Sequence, residues 1–148
     1  AAAGELGAVV AELPEQQENL RAFGLHLGIA FQIMDDALDY AAHQEQLGKS
    51  IGDDFRDGKI TLPVILAYAA GNEEECNFWQ RTLGEQDLQE DDLEEAMALL
   101  ARHDAINRTM YIAEDYCRKA EAALSEFPES ALKDALLEAV AFCIHRRH

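Results

Sequence analysis

From Glu15 to about Tyr40 the chain contains no proline, and Leu20, Phe23, Leu27, Phe31, Met34 and Leu38 recur at intervals of three and four. That period predicts one long helix with an apolar face, a rod of roughly 39 Å at ~1.5 Å per residue. Ahead of it, the alanine-rich stretch from Ala1 to Ala11 predicts a first helix, and Pro14 suits the opening turn of the long one. Residues 41 to 60 carry Gly48, Gly52 and Gly58 without a sustained apolar period, so they predict a long loop with room for one short turn. Loops of that length are usually functional. Thr61 is placed to cap a helix running from Pro63 to Ala70 and ending at Gly71. Four further helical patterns cover 73 to 83, 88 to 103, 104 to 126 and 130 to 147, broken at Gly84, His103-Asp104 and Phe127-Pro128. No alternating stretch bounded by turn signals argues for strands. The expected fold is all-α, a bundle of seven helices with the long rod near its centre.

A length of 148 residues, 49% of them hydrophobic, suffices for one ordinary core, so one domain or part of one is expected. Twelve basic residues against 29 acidic ones give a formal charge of -17, which repels nucleic acid and anionic membrane surfaces. Nucleic acid is therefore excluded as a partner, and a phosphorylated ligand would need metal ions and a local group of lysines to enter. Cys76, Cys117 and Cys143 are widely spaced, with no pairing that suggests zinc or a disulfide framework. They read as reduced core thiols of a cytoplasmic protein. No apolar run approaches the ~20 residues that span a bilayer. The chain opens Ala-Ala-Ala-Gly-Glu-Leu without a methionine, already in a helical pattern, so a fragment or processed product is expected.

The chemistry concentrates in Phe31-Gln32-Ile33-Met34-Asp35-Asp36-Ala37-Leu38-Asp39-Tyr40. Gln32, Asp35, Asp36 and Asp39 fall within an arc of roughly 100° on the helix, with Met34 and Ala37 on the far side. Like charges one turn apart repel, and the negative end of the helix dipole repels them again. Burial would raise the cost sharply unless a cation compensates. Magnesium, which takes one or two carboxylates together with waters and phosphate oxygens, fits such a stripe. Asp35 and Asp39 are the natural pair for it, and Asp36 could bind metal-bound water. A solvated acidic face at a helix end is the alternative.

Further on, the segment Gly48-Lys49-Ser50-Ile51-Gly52-Asp53-Asp54-Phe55-Arg56-Asp57-Gly58-Lys59-Ile60-Thr61-Leu62-Pro63 supplies two lysines in a glycine-punctuated loop. Lysine serves phosphate as a compact point charge. When a diphosphate leaves carbon, negative charge collects on its oxygens, and metal ions with lysines can stabilise it in the transition state. Carboxylates for metal and lysines for phosphate together point to diphosphate chemistry.

The two motifs, F-Q-I-x-D-D-x-x-D and G-K-x-x-G-D-D-F-R-x-G-K-x-T-L-P, resemble the second half of the all-trans polyprenyl diphosphate synthases, the head-to-tail isoprenoid chain elongases. The resemblance is strong from about Phe31 to Leu66, and the helical pattern on either side is consistent with it. It implies the isoprenoid synthase fold, with residues 1 to 148 as the C-terminal portion of a single synthase domain. It implies Mg2+ bridging an allylic diphosphate, such as farnesyl diphosphate, to two aspartate-rich motifs, of which this chain holds the second. Asp35 would be a direct metal ligand, while Asp36, Asp39 and one of Asp53 or Asp54, taken here as Asp54, would organise metal-bound water. Gln32, Lys49 and Lys59 match positions that contact the allylic diphosphate. Asp35, Asp36 and Lys49 are the expected catalytic residues. Isopentenyl diphosphate would add to the allylic cation and lose a proton, extending the chain by five carbons. The details around Gly52 to Arg56 look most like the long-chain enzymes that make quinone side chains, and the complete enzyme is expected to be a homodimer. Such enzymes carry a first D-D-x-x-D motif, an arginine pair and a basic site for isopentenyl diphosphate in their N-terminal half, and that half is not in this sequence, so half an active site, inactive alone, is expected. A non-catalytic partner subunit and a terpene cyclase are the alternatives, and G-K-x-T-L-P argues against the cyclase.

Other residues have plainer readings. His26 is expected to be a hydrogen-bonded core histidine, with His43 a weaker pocket candidate. Gly24 and Gly28 in mid-helix cost roughly 1 kcal/mol each against alanine, which close helix packing or room for a prenyl tail would explain. Phe78, Trp79, Tyr111 and Tyr116 are expected in the core or a dimer contact, and His145 to His148 as a solvated tail.

Overall fold

The computed structural model describes residues 1–10, 12, 14–41 and 51–145. Gly48, Lys49, His43 and the last three residues lie outside the described residues. Helices are α1 (Ala2–Val10), α2 (Pro14–Asp39), α3 (Asp53–Arg56), α4 (Leu62–Ala70), α5 (Glu73–Trp79), α6 (Asp92–Arg102), α7 (Ala105–Ala123) and α8 (Ala131–His145). A π-helical turn, Gln80–Gly84, extends α5. No strand occurs among the described residues, so the fold is all-α as the periodicity predicts. The chain divides into two compact units, one from residues 1–34 with 111 onward and one from residues 35–110.

In the first unit, Phe23, Ala30 and Met34 form the buried side of α2, whereas Phe31 is exposed despite its place in the apolar series. Gln17 donates to Glu5 at 2.8 Å, joining α2 to α1. Ala113, Cys117 and Ala120 of α7 and Val140 and Cys143 of α8 are fully or almost fully buried, and burial pushes the Cys117 thiol up to about 12. His26 departs from expectation: its ring packs at 5.9 Å from that of Tyr116, but Nδ1 is buried without a hydrogen-bond partner. Tyr111 is exposed rather than core. Gly24 makes only ordinary contact with Ala1, and Gly28 has open space where a side chain would stand. Both line a shallow apolar groove of about 460 Å³ with Leu27, Phe31, Ala139 and Phe142.

The second unit packs around Phe55, Trp79 and Leu100. Trp79 meets Phe78 edge-on at 5.1 Å and Phe55 at 6.2 Å. Burying an aromatic ring of this kind contributes about 1.5–3 kcal/mol. Asn72 starts α5 with a reciprocal capping box: its side chain accepts from the Glu75 N–H, and Glu75 accepts from the Asn72 N–H, both at 3.0 Å. The other interactions of the Glu75 carboxylate, with Arg102 and with His103 Nε2 at 2.9 Å, tie the start of α5 to the end of α6.

Helix α6 begins at Asp92 rather than Leu88, because the Asp92 carboxylate accepts the Gln89 N–H at 2.7 Å and a two-pronged contact from Arg81 at 2.6 and 2.9 Å. Those bonds hold the preceding residues in a turn. Gly71 ends α4 as expected, with extended backbone (φ -76°, ψ 159°) rather than the left-handed conformation common at a helix end.

Candidate functional site

Helix α2 delivers the carboxylate stripe with the predicted facing: Met34 and Ala37 are fully buried, Asp36 and Asp39 half-buried, and Asp35 exposed. The helix stops where its last residue becomes a partner for the next element. The Asp39 carbonyl accepts the Gly52 N–H at 2.9 Å, and the Asp39 carboxylate accepts the Asp54 N–H at 3.0 Å. Gly52 occupies the N-cap position of α3 and has no side chain with which to satisfy the open N–H groups there. Asp39 does that work from another helix. Glycine is required at 52 for two reasons: its φ is +75°, and a Cβ there would collide with the side chain of Leu93.

The far end of α3 explains the position of Lys59. The Gly58 N–H bonds the Phe55 carbonyl at 3.0 Å and the Lys59 N–H bonds the Asp54 carbonyl at 2.9 Å, with Gly58 at φ +71°. This pair of bonds is a Schellman stop, which reverses the chain over the last turn. Lys59 is thereby folded back, and its Nζ lies 2.7 Å from Asp54 Oδ1 and 3.2 Å from Asp57 Oδ2. Asp53 instead pairs with Arg56 at 3.1 Å. The two adjacent aspartates thus differ: Asp54, its side chain 18% exposed, gives its N–H to Asp39 and its carboxylate to Lys59, while the Asp53 side chain is 51% exposed beside Arg56.

Electrostatics follow this crowding. Burial raises the pKa of Asp39. The Asp54 N–H opposes that shift, the carboxylates of Asp54 and Asp53 add to it, and Lys59 lowers it. Bonds to Asp54 and then Asp57 raise the pKa of Lys59. Tyr40, 1% exposed, is pushed up to about 12, chiefly by burial and further by Asp39, Asp54 and Asp36. The nearby Thr61 hydroxyl partly offsets this, although no hydrogen bond of ordinary length and angle joins the two.

Of the residues singled out in the sequence, Asp39, Asp54 and Lys59 are joined by hydrogen bonds, and Asp36 lies close enough to act on the same tyrosine. Gln32 is exposed on α2 and falls in the first unit, and Lys49 lies outside the described residues. Among the described residues no three carboxylates, imidazoles or thiols gather into a cage for a metal. Magnesium does not need one, since it is held by one or two carboxylates plus waters and substrate oxygens. A half-buried Asp39, its pKa raised amid further carboxylates, is a donor set that such a cation would suit. The sequence reading gave Tyr40 no role of its own and gave Thr61 only a helix-capping role. Their only signal was adjacency, one directly after the aspartate stripe and the other two residues after Lys59.

The likeness to known proteins runs across both segments. The family model described as polyprenyl synthetase matches residues 1–100. The octaprenyl diphosphate synthase of Haemophilus influenzae is 35% identical over 147 residues, which cover 99% of this chain and 44% of that protein. The crystal structure of a polyprenyl synthase from Caulobacter crescentus, complexed with calcium and isoprenyl diphosphate, superposes with a TM-score of 0.85 at 45% identity, covering 99% of this chain and 45% of that one. That of a Roseobacter denitrificans polyprenyl synthase gives 0.87 at 39% identity, covering 96% and 46%. The chain spans less than half the length of these relatives. With the aspartate stripe and the Asp54–Lys59 turn folded onto one another and the family match running through both, the chain belongs to the polyprenyl synthetase family.

Proposed function

We propose that this chain carries the second aspartate-rich half of a prenyltransferase site, which adds isopentenyl diphosphate to an allylic diphosphate with magnesium. The observation that carries this reading is the Asp39–Asp54–Lys59 connection, at 3.0 and 2.7 Å, which puts a cation-seeking carboxylate and an anion-seeking ammonium on either side of one short helix. The calcium and isoprenyl diphosphate bound by the Caulobacter relative support the choice of a divalent cation and a diphosphate.

Each residue then has a role. Asp35, exposed on α2, offers a direct ligand to the cation, and Asp36, Asp39 and Asp54 accept hydrogen bonds from its water shell. Bound magnesium would supply Lewis-acid stabilisation of the departing diphosphate. Lys59, with Lys49 and Gln32, holds the diphosphate oxygens and neutralises the charge that builds on them as the allylic C–O bond breaks. Lys59 is held by Asp54 and Asp57 in this structure, so a phosphate would compete with them for its protons. The double bond of isopentenyl diphosphate would add to the cation, and loss of a proton would complete the step.

Both units are read as parts of one synthase domain. Because this chain spans under half the length of its relatives, the activity is assigned to a longer arrangement and the chain alone is read as inactive. The complete enzyme is proposed to be a homodimer. Exposed Val10, Leu132 and Phe142 in the first unit support a need for further apolar cover. Among the described residues no helix is long and apolar enough to cross a membrane. The place of action is proposed to be the cytoplasm.

The test is a calorimetric titration of a non-hydrolysable allylic diphosphate analogue into the chain, with and without magnesium. Magnesium-dependent binding that disappears in Asp35→Asn is the expected result. Binding that ignores both magnesium and the substitution would overturn the reading.

A further inference from the structure

Two buried hydroxyls, those of Tyr40 and Thr61, adjoin the acidic cluster along the chain. Tyr40 is 1% exposed and Thr61 8%, and neither hydroxyl oxygen has a partner that meets ordinary hydrogen-bond limits. The Thr61 hydroxyl is near enough to Tyr40 to act on its phenol, and buried polar groups in native proteins are almost always paired, so the two are each other's natural complement. Thr61 stands at the N-cap of α4 with extended backbone (φ -95°, ψ 168°), yet its side chain does not bond the helix, which is the usual task of a threonine there. Tyr40 stands just past α2. Its main-chain neighbour Asp39 holds the N–H groups of Gly52 and Asp54, at 2.9 and 3.0 Å, while Lys59, two residues before Thr61, holds Asp54 from the other side at 2.7 Å. Two strands of argument therefore meet: the chain segments that end in Asp39 and begin from Lys59 converge on Asp54, and each carries a buried hydroxyl one or two residues away.

We infer that Tyr40 and Thr61 are positioning residues, whose paired hydroxyls fasten the end of α2 to the start of α4 and so fix Asp39 and Lys59 at their spacing about Asp54. Carboxylate and ammonium are long or flexible groups on adjoining segments, and a cluster of like charges tends to spread apart. A neutral hydroxyl pair ties the backbones without adding charge. The functional meaning of the spacing rests on the reading of Asp39 as a magnesium group and Lys59 as a diphosphate group. The positioning itself does not.

The test uses amide hydrogen exchange on the chain, comparing Asp54, whose N–H is held by Asp39, with Leu100 in the core. Tyr40→Phe removes only the hydroxyl and keeps the buried ring. Thr61→Val removes the hydroxyl and keeps the shape, and Thr61→Ser does the reverse. Expected is exchange at Asp54 about tenfold faster than wild type in Tyr40→Phe and in Thr61→Val, with Leu100 unchanged, no further gain in the double variant, and wild-type behaviour in Thr61→Ser. Equal acceleration at Asp54 and Leu100 would mean a merely structural role and would overturn the inference, as would an unchanged Asp54 in Tyr40→Phe. Magnesium-dependent binding of the allylic diphosphate analogue, measured on the same variants, is expected to weaken in parallel with Asp54 exchange. If the wild-type chain does not bind the analogue, the proposed function fails, while the exchange data still decide the positioning role.

Discussion

The carboxylate of Asp39 accepts the backbone N–H of Asp54 at 3.0 Å, so the last residue of α2 caps the helix that follows it, α3. One side chain is thus asked to do two things: to satisfy a backbone donor, and to carry negative charge in a half-buried place. The two tasks separate by substitution. Asp39→Asn keeps an acceptor oxygen and loses the charge, so urea denaturation is expected to find stability within about 0.5 kcal/mol of wild type. Calorimetry on the same variant is expected to find magnesium-dependent binding of the allylic analogue abolished. Asp39→Ala loses both, with about 1 kcal/mol of stability gone as well. Equal loss of stability in the two variants would contradict the capping role.

Gly52 combines a left-handed backbone with a buried approach to Leu93. Gly52→Ala is expected to destabilise the chain by about 1–3 kcal/mol in denaturant titration, from backbone strain and collision together. Shortening the obstructing side chain should relieve only the collision. Gly52→Ala combined with Leu93→Ala is therefore expected to cost less than the sum of the two single changes.

Glu75 supplies a pH dependence with a definite sign. Its bonds to His103, then Arg102, then the Asn72 N–H lower its pKa from 4.5 to about 2, against a smaller opposing effect of burial. A group that binds its proton less readily when folded adds stability above its unfolded pKa, and that stability is lost as the pH falls through its folded one. The contribution is therefore expected to be whole above about pH 4.5 and to fade toward pH 2. Thermal melts across that window should slope less steeply in Glu75→Gln than in wild type. Parallel slopes would show that the acid sensitivity comes from elsewhere.

The thiols should differ in reactivity. Cys117 and Cys143 are buried, and the Cys117 thiol is pushed up to about 12, whereas Cys76 is partly accessible. Thiolate is the reacting form. A thiol-modifying reagent at pH 8 is expected to label Cys76 in the folded chain and all three cysteines once denatured. Rapid labelling of Cys117 in the folded state would mean that α7 and α8 separate readily.

The sequence by itself determined the helical class, the length of α2 and the facing of the aspartate stripe. These are local properties: a period of three and four fixes which side chains share a face. Only the tertiary structure decided that Asp54 rather than Asp53 lies between Asp39 and Lys59, because that choice depends on Arg56 drawing Asp53 aside and on where the Schellman turn after α3 returns the chain. It also decided that α6 waits until Asp92, since the bonds from Arg81 and Gln89 are absent from any local propensity. The exposure of Phe31 and the burial of the Tyr40 and Thr61 hydroxyls are of the same kind. Periodicity says which residues are neighbours along one helix, whereas burial is set by what other segments bring to them.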